Sequence, residues 1–166
     1  YDEQIELLQK ETEKKKYGML SLADKLTKQR KSAIKEIEKQ LIAKVSLLGM
    51  PNARFECEIT PKNFPDISGG DNLKFLFSAN KNVPLQPISE VASGGEISRV
   101  MLSLKSMIAG ATTLPTIIFD EIDSGVSGEI AYKMGNIMQD FGNKMQVIAI
   151  THLPQIAAKG STHYYV

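Results

Sequence analysis

Two short apolar runs, TIIFDE at residues 116–121 and MQVIAITH at 145–152, bracket a segment in which Ile130, Met134, Ile137, Met138 and Phe141 recur at helical spacing. Strand, helix, strand with apolar residues on both sides of each pleat predicts a parallel βαβ unit buried on both faces. Its crossover is right-handed by the general rule for such units. The fold class is therefore α/β, and a chain of 166 residues that is 42% hydrophobic can bury one real core and a small appendage. HYYV at the C-terminus reads as a further strand on which the sequence stops.

The first 48 residues follow a different grammar. They are highly charged and free of proline, with apolar residues at Ile5, Leu8, Met19, Leu22, Leu26, Ile34, Ile37, Leu41, Val45 and Leu48. Steps of three and four keep one stripe on one side of a helix. The stripe weakens at Thr12 and Lys15 and slips between Leu26 and Ile34, so a long surface helix, a helical hairpin end and a regular coiled coil all remain open. Gly18 is a candidate break, and the uncapped start reads as a cut through a longer helical region. Gly49 suits the C-cap and Pro51 cannot continue the helix. ARFECEI alternates like a half-buried strand, PKNFPDISGGDN is turn chemistry, and LKFLFSAN reads as a second strand antiparallel to the first.

Charge narrows little. Lys plus Arg total 20 against 19 acidic residues, and the first fifty residues hold 11 basic and 8 acidic side chains, too mild a bias for a nucleic-acid face. Cys57 is the only cysteine, which excludes an internal disulfide and a cysteine zinc cluster. No apolar run approaches the roughly 18 residues of a membrane span, and the N-terminus is not signal-like.

Open α/β sheets bind ligands beyond the carboxyl ends of their strands. There the first core strand delivers Asp120 and Glu121, and the second delivers Thr151 and His152. Adjacent carboxylates repel unless a cation or a proton separates their roles. Asp120 is assigned to Mg2+, which takes oxygen ligands and keeps several waters. Glu121 is then free to orient and deprotonate an attacking water, with His152 donating to a phosphate oxygen or sensing its departure.

Upstream, Ser93-Gly94-Gly95-Glu96 fits a capping box, followed by Ile97, Met101, Leu104 and Ile108 as the expected buried stripe. The box leaves the glycines unexplained. Bare amides at a helix N-terminus are what a phosphate needs for close approach. In DSGVSGE, Gly125 and Gly128 allow a tight turn and Ser127 can cap the next helix. A G-x-x-x-x-G-K-[ST] loop is absent; Gly69-Gly70 is followed by DNLKF, without its spacing or its terminal hydroxyl residue. The chain therefore carries only part of a nucleotide site.

ASGGEISRVMLSLK, TIIFDEIDSGVSG and VIAITHLPQIAA, in this order and spacing, resemble the C-terminal half of a DNA repair member of the structural-maintenance-of-chromosomes (SMC) and ABC-type ATPases. The resemblance covers residues 49–166; residues 1–48 resemble the family's descending coiled-coil arm. It implies the C-terminal lobe of an ABC/SMC-type ATPase head, the parallel βαβ core of a P-loop NTPase fold, with an N-terminal coiled-coil arm segment. The phosphate loop would then lie in the N-terminal half of the same head.

On that resemblance Ser93, Gly94, Gly95 and Glu96 occupy the signature motif, which contacts the γ-phosphate held by the opposite head of a dimer with a second copy. Asp120 and Glu121 occupy the Walker B pair; Asp123, Gly125, Ser127 and Gly128 the D-loop; His152 the switch histidine. Ala92, where many relatives carry leucine, favours the DNA-repair branch over a condensin or a transporter subunit. ATP and Mg2+ as ligands, DNA as a partner, no membrane, and a cytoplasmic, nucleoid-associated location are what the resemblance implies.

Overall fold

The computed structural model describes residues 1–91, 94–108, 115–120, 122–126 and 128–165. In chain order they form α1 (Asp2–Leu47), β1 (Arg54–Asp66), β2 (Gly69–Ser78), β3 (Gln86–Pro87), a 3-10 turn at Ile88–Glu90, α2 (Gly94–Ile108), β4 (Thr116–Asp120), α3 (Gly128–Gly142), β5 (Gln146–Ile150) and α4 (Pro154–Ala157). One three-stranded sheet has the order β1-β2-β3, and a second pairs β4 with β5. By their contacts the residues divide into two compact units, 1–38 with 57–75 and 39–56 with 76–166. Among the described residues no helix is long and apolar enough to cross a membrane.

In the first unit, α1 runs without interruption through Gly18, contrary to the expected break. One glycine costs a helix only about 1 kcal/mol relative to alanine, too little to stop so long a run of good helix formers. The face it partly buries also differs from the expected stripe. Met19, Ala23, Leu26, Thr27, Arg30, Ile34 and Glu38 lie on it, while Leu22 and Ile37 face solvent.

Polar members of that face hold the β1–β2 hairpin. Thr27 Oγ1 lies 2.8 Å from each oxygen of buried Asp71, and Arg30 reaches Asp71 at 3.1 Å and the Ser68 carbonyl at 2.6 Å. Burial works to raise the Asp71 pKa, but Thr27, Arg30 and Lys31 outweigh it and hold the carboxyl below its ordinary value. Glu38 accepts the Cys57 backbone N–H at 2.8 Å.

The segment expected to be a turn is mostly strand. β1 continues through Pro61 and Pro65, which an edge strand tolerates because no ladder partner needs their missing N–H. The turn is only Ile67 and Ser68, a connection short enough that β1 and β2 must be antiparallel. Asp66 fixes it by accepting the Ser68 N–H at 2.7 Å and the Ser68 hydroxyl at 2.6 Å, while Lys62 pairs with the carboxylate at 2.8 Å. Gly69, with φ +100°, follows the turn, and a Cβ there would lie 2.7 Å from Leu26 Cδ2.

The second unit has two apolar clusters. One gathers Leu41, Val45, Met50, Ala53, Phe55, Phe77 and Val100; the other gathers Leu48, Leu102, Ile117, Phe119, Ile122, Met134, Met138, Phe141 and Ile156 among its members. α2 contributes Val100 to the first and Leu102 to the second, so two of its sides are covered. That rotates its buried face away from the expected stripe: Arg99, Val100, Leu102 and Ser103 are buried, whereas Met101 and Ile108 are exposed. The end of α1 is as expected. Gly49 has φ +85°, with Met50 N–H bonded to the Val45 carbonyl at 3.2 Å and Gly49 N–H to that of Ser46 at 3.3 Å, the paired bonds of a Schellman cap.

β4 and β5 are parallel, in register from Thr116↔Gln146 to Asp120↔Ile150, as the strand–helix–strand pattern predicts. Among the described residues only one face of this pair is covered. Ile117 and Phe119 point into the cluster beneath α3, while Ile118, Ile148 and Ile150 are exposed. The expectation of burial on both faces therefore fails for these residues. HYYV does not extend the sheet, since residues 161–165 form no strand and Tyr164 and Tyr165 lie in solvent.

Candidate functional site

The register of β4 and β5, which ends at Asp120↔Ile150, brings their carboxyl ends to one edge. Asp120, last in β4, is exposed there. Glu121, Ser93 and Ser127 lie outside the described residues, so the expected capping box and the expected base are not described. Among the described residues no three His, Cys, Asp or Glu side chains group to hold a metal ion. Asp120 alone still suits Mg2+, which binds through one or two protein carboxylates and fills its other positions with water and phosphate oxygens.

The turn after β4 folds back on the strand end. Val126 N–H bonds the Asp123 carbonyl at 3.2 Å, and Gly125 and Gly128 have φ of +73° and +56°, values that glycine adopts readily. This carries Asp123 inward, where it is 1% exposed. Its Oδ2 accepts a hydrogen bond from the Thr151 hydroxyl, and the Thr151 oxygen accepts the Leu153 N–H at 3.1 Å. His152 Nδ1 stands 3.6 Å from Asp123 Oδ1, with the imidazole side chain 68% exposed. Asp123 and His152 are thus brought together, a pairing that no spacing in the chain predicts.

The two glycines at the start of α2 differ. At Gly94 an added Cβ would meet nothing within 4 Å; at Gly95 it would lie 2.5 Å from the backbone oxygen of Ser124. Gly95 is therefore the residue that lets the start of α2 seat against the turn after β4, and Gly94 is the one with open space before it. Glu96 borders a small cavity of about 210 Å³ shared with Asn80, Gln86 and Val91. Arg99 is buried one turn along, with its Nε unpartnered; burial pushes its guanidinium pKa down against the pull of Glu96. Its place was legible only once α2 was known to be covered on two sides.

The fold is that of an SMC head domain. The chain is similar to an Smc head with an extended coiled coil from Pyrococcus furiosus, bound to the C-terminal domain of ScpA, at TM-score 0.58 and 19% identity, covering 94% of this chain and 39% of that one. It is equally similar to an Smc head with coiled coil and joint from Pyrococcus yayanosii, at TM-score 0.58 and 20% identity, covering 95% and 30%.

In sequence the chain matches the C-terminal part of the DNA repair protein RecN. It is 42% identical to RecN of Rickettsia felis over 149 residues, 90% of this chain and 27% of the relative. Against RecN of Vibrio cholerae the identity is 37% over 166 residues, 99% of this chain and 30% of the relative. The chain thus spans under a third of the length of these curated relatives. No protein-family model matches it.

Proposed function

We propose that this chain is the C-terminal part of a RecN-like ATPase head acting in repair of DNA double-strand breaks and recombination, in the cytoplasm at the nucleoid. Residues 1–48 belong to its coiled-coil arm and residues 49–166 to the C-terminal half of the head; the N-terminal half supplies the phosphate loop. Two such heads close on ATP, and DNA is the substrate of the whole protein.

The observation that carries the reading is the meeting at one edge of exposed Asp120, the Asp123–Thr151–His152 linkage, and a helix start at Gly94 with open space before it. Backbone amides at a helix N-terminus favour an approaching anion. Asp120 would hold Mg2+, whose charge neutralises phosphate oxygens when bound. Glu121 takes a proton from the attacking water, and His152 faces the phosphate. Ser93, Gly94, Gly95 and Glu96 serve the nucleotide of the opposite head, with Gly125, Ser127 and Gly128 shaping the turn between the two.

The test is turnover by the full-length protein carrying Glu121→Gln. Loss of the base lowers turnover about 100- to 10,000-fold while ATP binding survives, because Asp120 is intact. Turnover within a few-fold of the parent would remove Glu121 from that role.

A further inference from the structure

Asp123 is placed where it cannot serve a ligand directly. It is 1% exposed, and both of its oxygens face the loop after β5 rather than the open edge. Oδ2 takes the single hydrogen of the Thr151 hydroxyl, which leaves the Thr151 lone pair to accept the Leu153 N–H. That fixes the backbone on either side of His152. Oδ1 is buried without a hydrogen-bond partner, and His152 Nδ1 stands 3.6 Å from it. This distance is too long for a hydrogen bond. A closure of about half an ångström would make one, and hydrogen bonds in ligand-free sites commonly tighten when the complex forms.

We propose that Asp123 is the positioning residue for His152: it holds Thr151 through one oxygen and the Nδ1–H of the imidazole through the other. A carboxylate oxygen only accepts, so the ring nitrogen facing it carries the hydrogen. Nε2 is then the nitrogen left for water or phosphate, and its tautomeric state is set from behind. The same carboxylate ties the turn after β4 to the loop after β5, so a displacement of the turn is felt at the imidazole. This rests on the reading of the edge as a hydrolytic site only for its effect on turnover; the tautomer stands on geometry alone.

The experiment uses the full-length protein with ¹³C,¹⁵N-labelled histidine, the His152 ring resonances being assigned by their loss in His152→Gln. In the parent, the ring nitrogen shifts are those of the Nδ1–H tautomer; in Asp123→Ala they move to the Nε2–H tautomer. Turnover in the same variant falls about 10- to 100-fold, as for loss of other outer-shell partners of histidine, with KM for ATP within about threefold. An Nε2–H tautomer in the parent overturns the proposal without any variant, so a failure of Asp123→Ala to fold does not protect it. An unchanged tautomer or unchanged kcat in a folded variant also overturns it. If the parent hydrolyses no ATP, the proposed function fails, and the ring shifts still decide the role of Asp123.

Discussion

The chain contains two Gly-Gly pairs that look alike in sequence and do opposite things. Gly69-Gly70 opens β2 and is closed over by α1: a Cβ on Gly69 would reach Leu26 at 2.7 Å and Arg30 at 3.1 Å, and one on Gly70 would touch Ala23 at 3.5 Å. Gly94-Gly95 opens α2 and is divided, with Gly95 against the Ser124 carbonyl and Gly94 facing open space. In the first pair Gly69 is required by its positive φ and its nearness to Leu26, while a Cβ at Gly70 would make only an ordinary contact with Ala23. The second is half explained by packing, and the unexplained half is where a ligand can approach. Among the described residues nothing packs where a Gly94 side chain would stand, which makes Gly94 the position at which the proposed ligand approach can be tested.

The largest expected consequence is at that glycine. In the full-length protein, Gly94→Asp lowers ATP turnover by about a hundredfold or more, the scale on which losing a donor to a developing charge acts. Its unfolding free energy stays within about 0.5 kcal/mol of the parent, as for a surface site. Parallel steady-state kinetics and urea unfolding check both halves; a large loss of stability would mean that Gly94 is a packing residue like its neighbour.

Gly95→Ala should reverse the pattern. The obstructing atom is backbone, which cannot swing aside, so overpacking costs about 1–3 kcal/mol, read from the same urea midpoints. Gly69→Ala comes next, at about 1–2 kcal/mol, because its positive φ penalises a side chain while the tip of Leu26 can yield.

The smallest effect is a pH dependence at Asp71, in the unit that holds Gly69 and Gly70. The folded pKa of Asp71 is depressed, so its contribution to stability is present above the unfolded value of about 3.9. That contribution fades as pH falls through the lower folded value. The stability difference between the parent and Asp71→Asn should therefore be level near neutrality and shrink below about pH 4. A difference that grew on acidification would contradict the Thr27–Arg30 clamp.

What could be read from sequence divides along similar lines. β4, α3, β5 and the Gly49 cap were legible because periodicity and a single cap residue determine them locally. The long β1 was not. Prolines and glycines between 61 and 70 imitate a turn, and only the edge position of the strand explains why they are tolerated. The expected stripe of α2, in steps of four and three, holds only in part: Leu104 packs against one cluster, but a single stripe cannot show that two clusters flank the helix. Asp120 and His152 are site candidates by the strand-end rule, and Gly94 and Gly95 by the motif. The pairing of Asp123 with Thr151 and His152 depends on how a turn with positive φ at Gly125 carries a carboxylate inward, and no spacing in the chain announces that.

If Gly94 serves a nucleotide held by another head, as proposed, mixing two inactive chains restores activity. Full-length Gly94→Asp keeps its own Asp120 and Glu121; full-length Glu121→Gln keeps its own signature. A mixed dimer of the two joins one intact acid pair to one intact signature, so ATP turnover should return on mixing, in proportion to the mixed dimers formed. Mixed dimers demonstrated by crosslinking yet no more active than either chain alone would contradict a shared site and place the work of Gly94 within its own head.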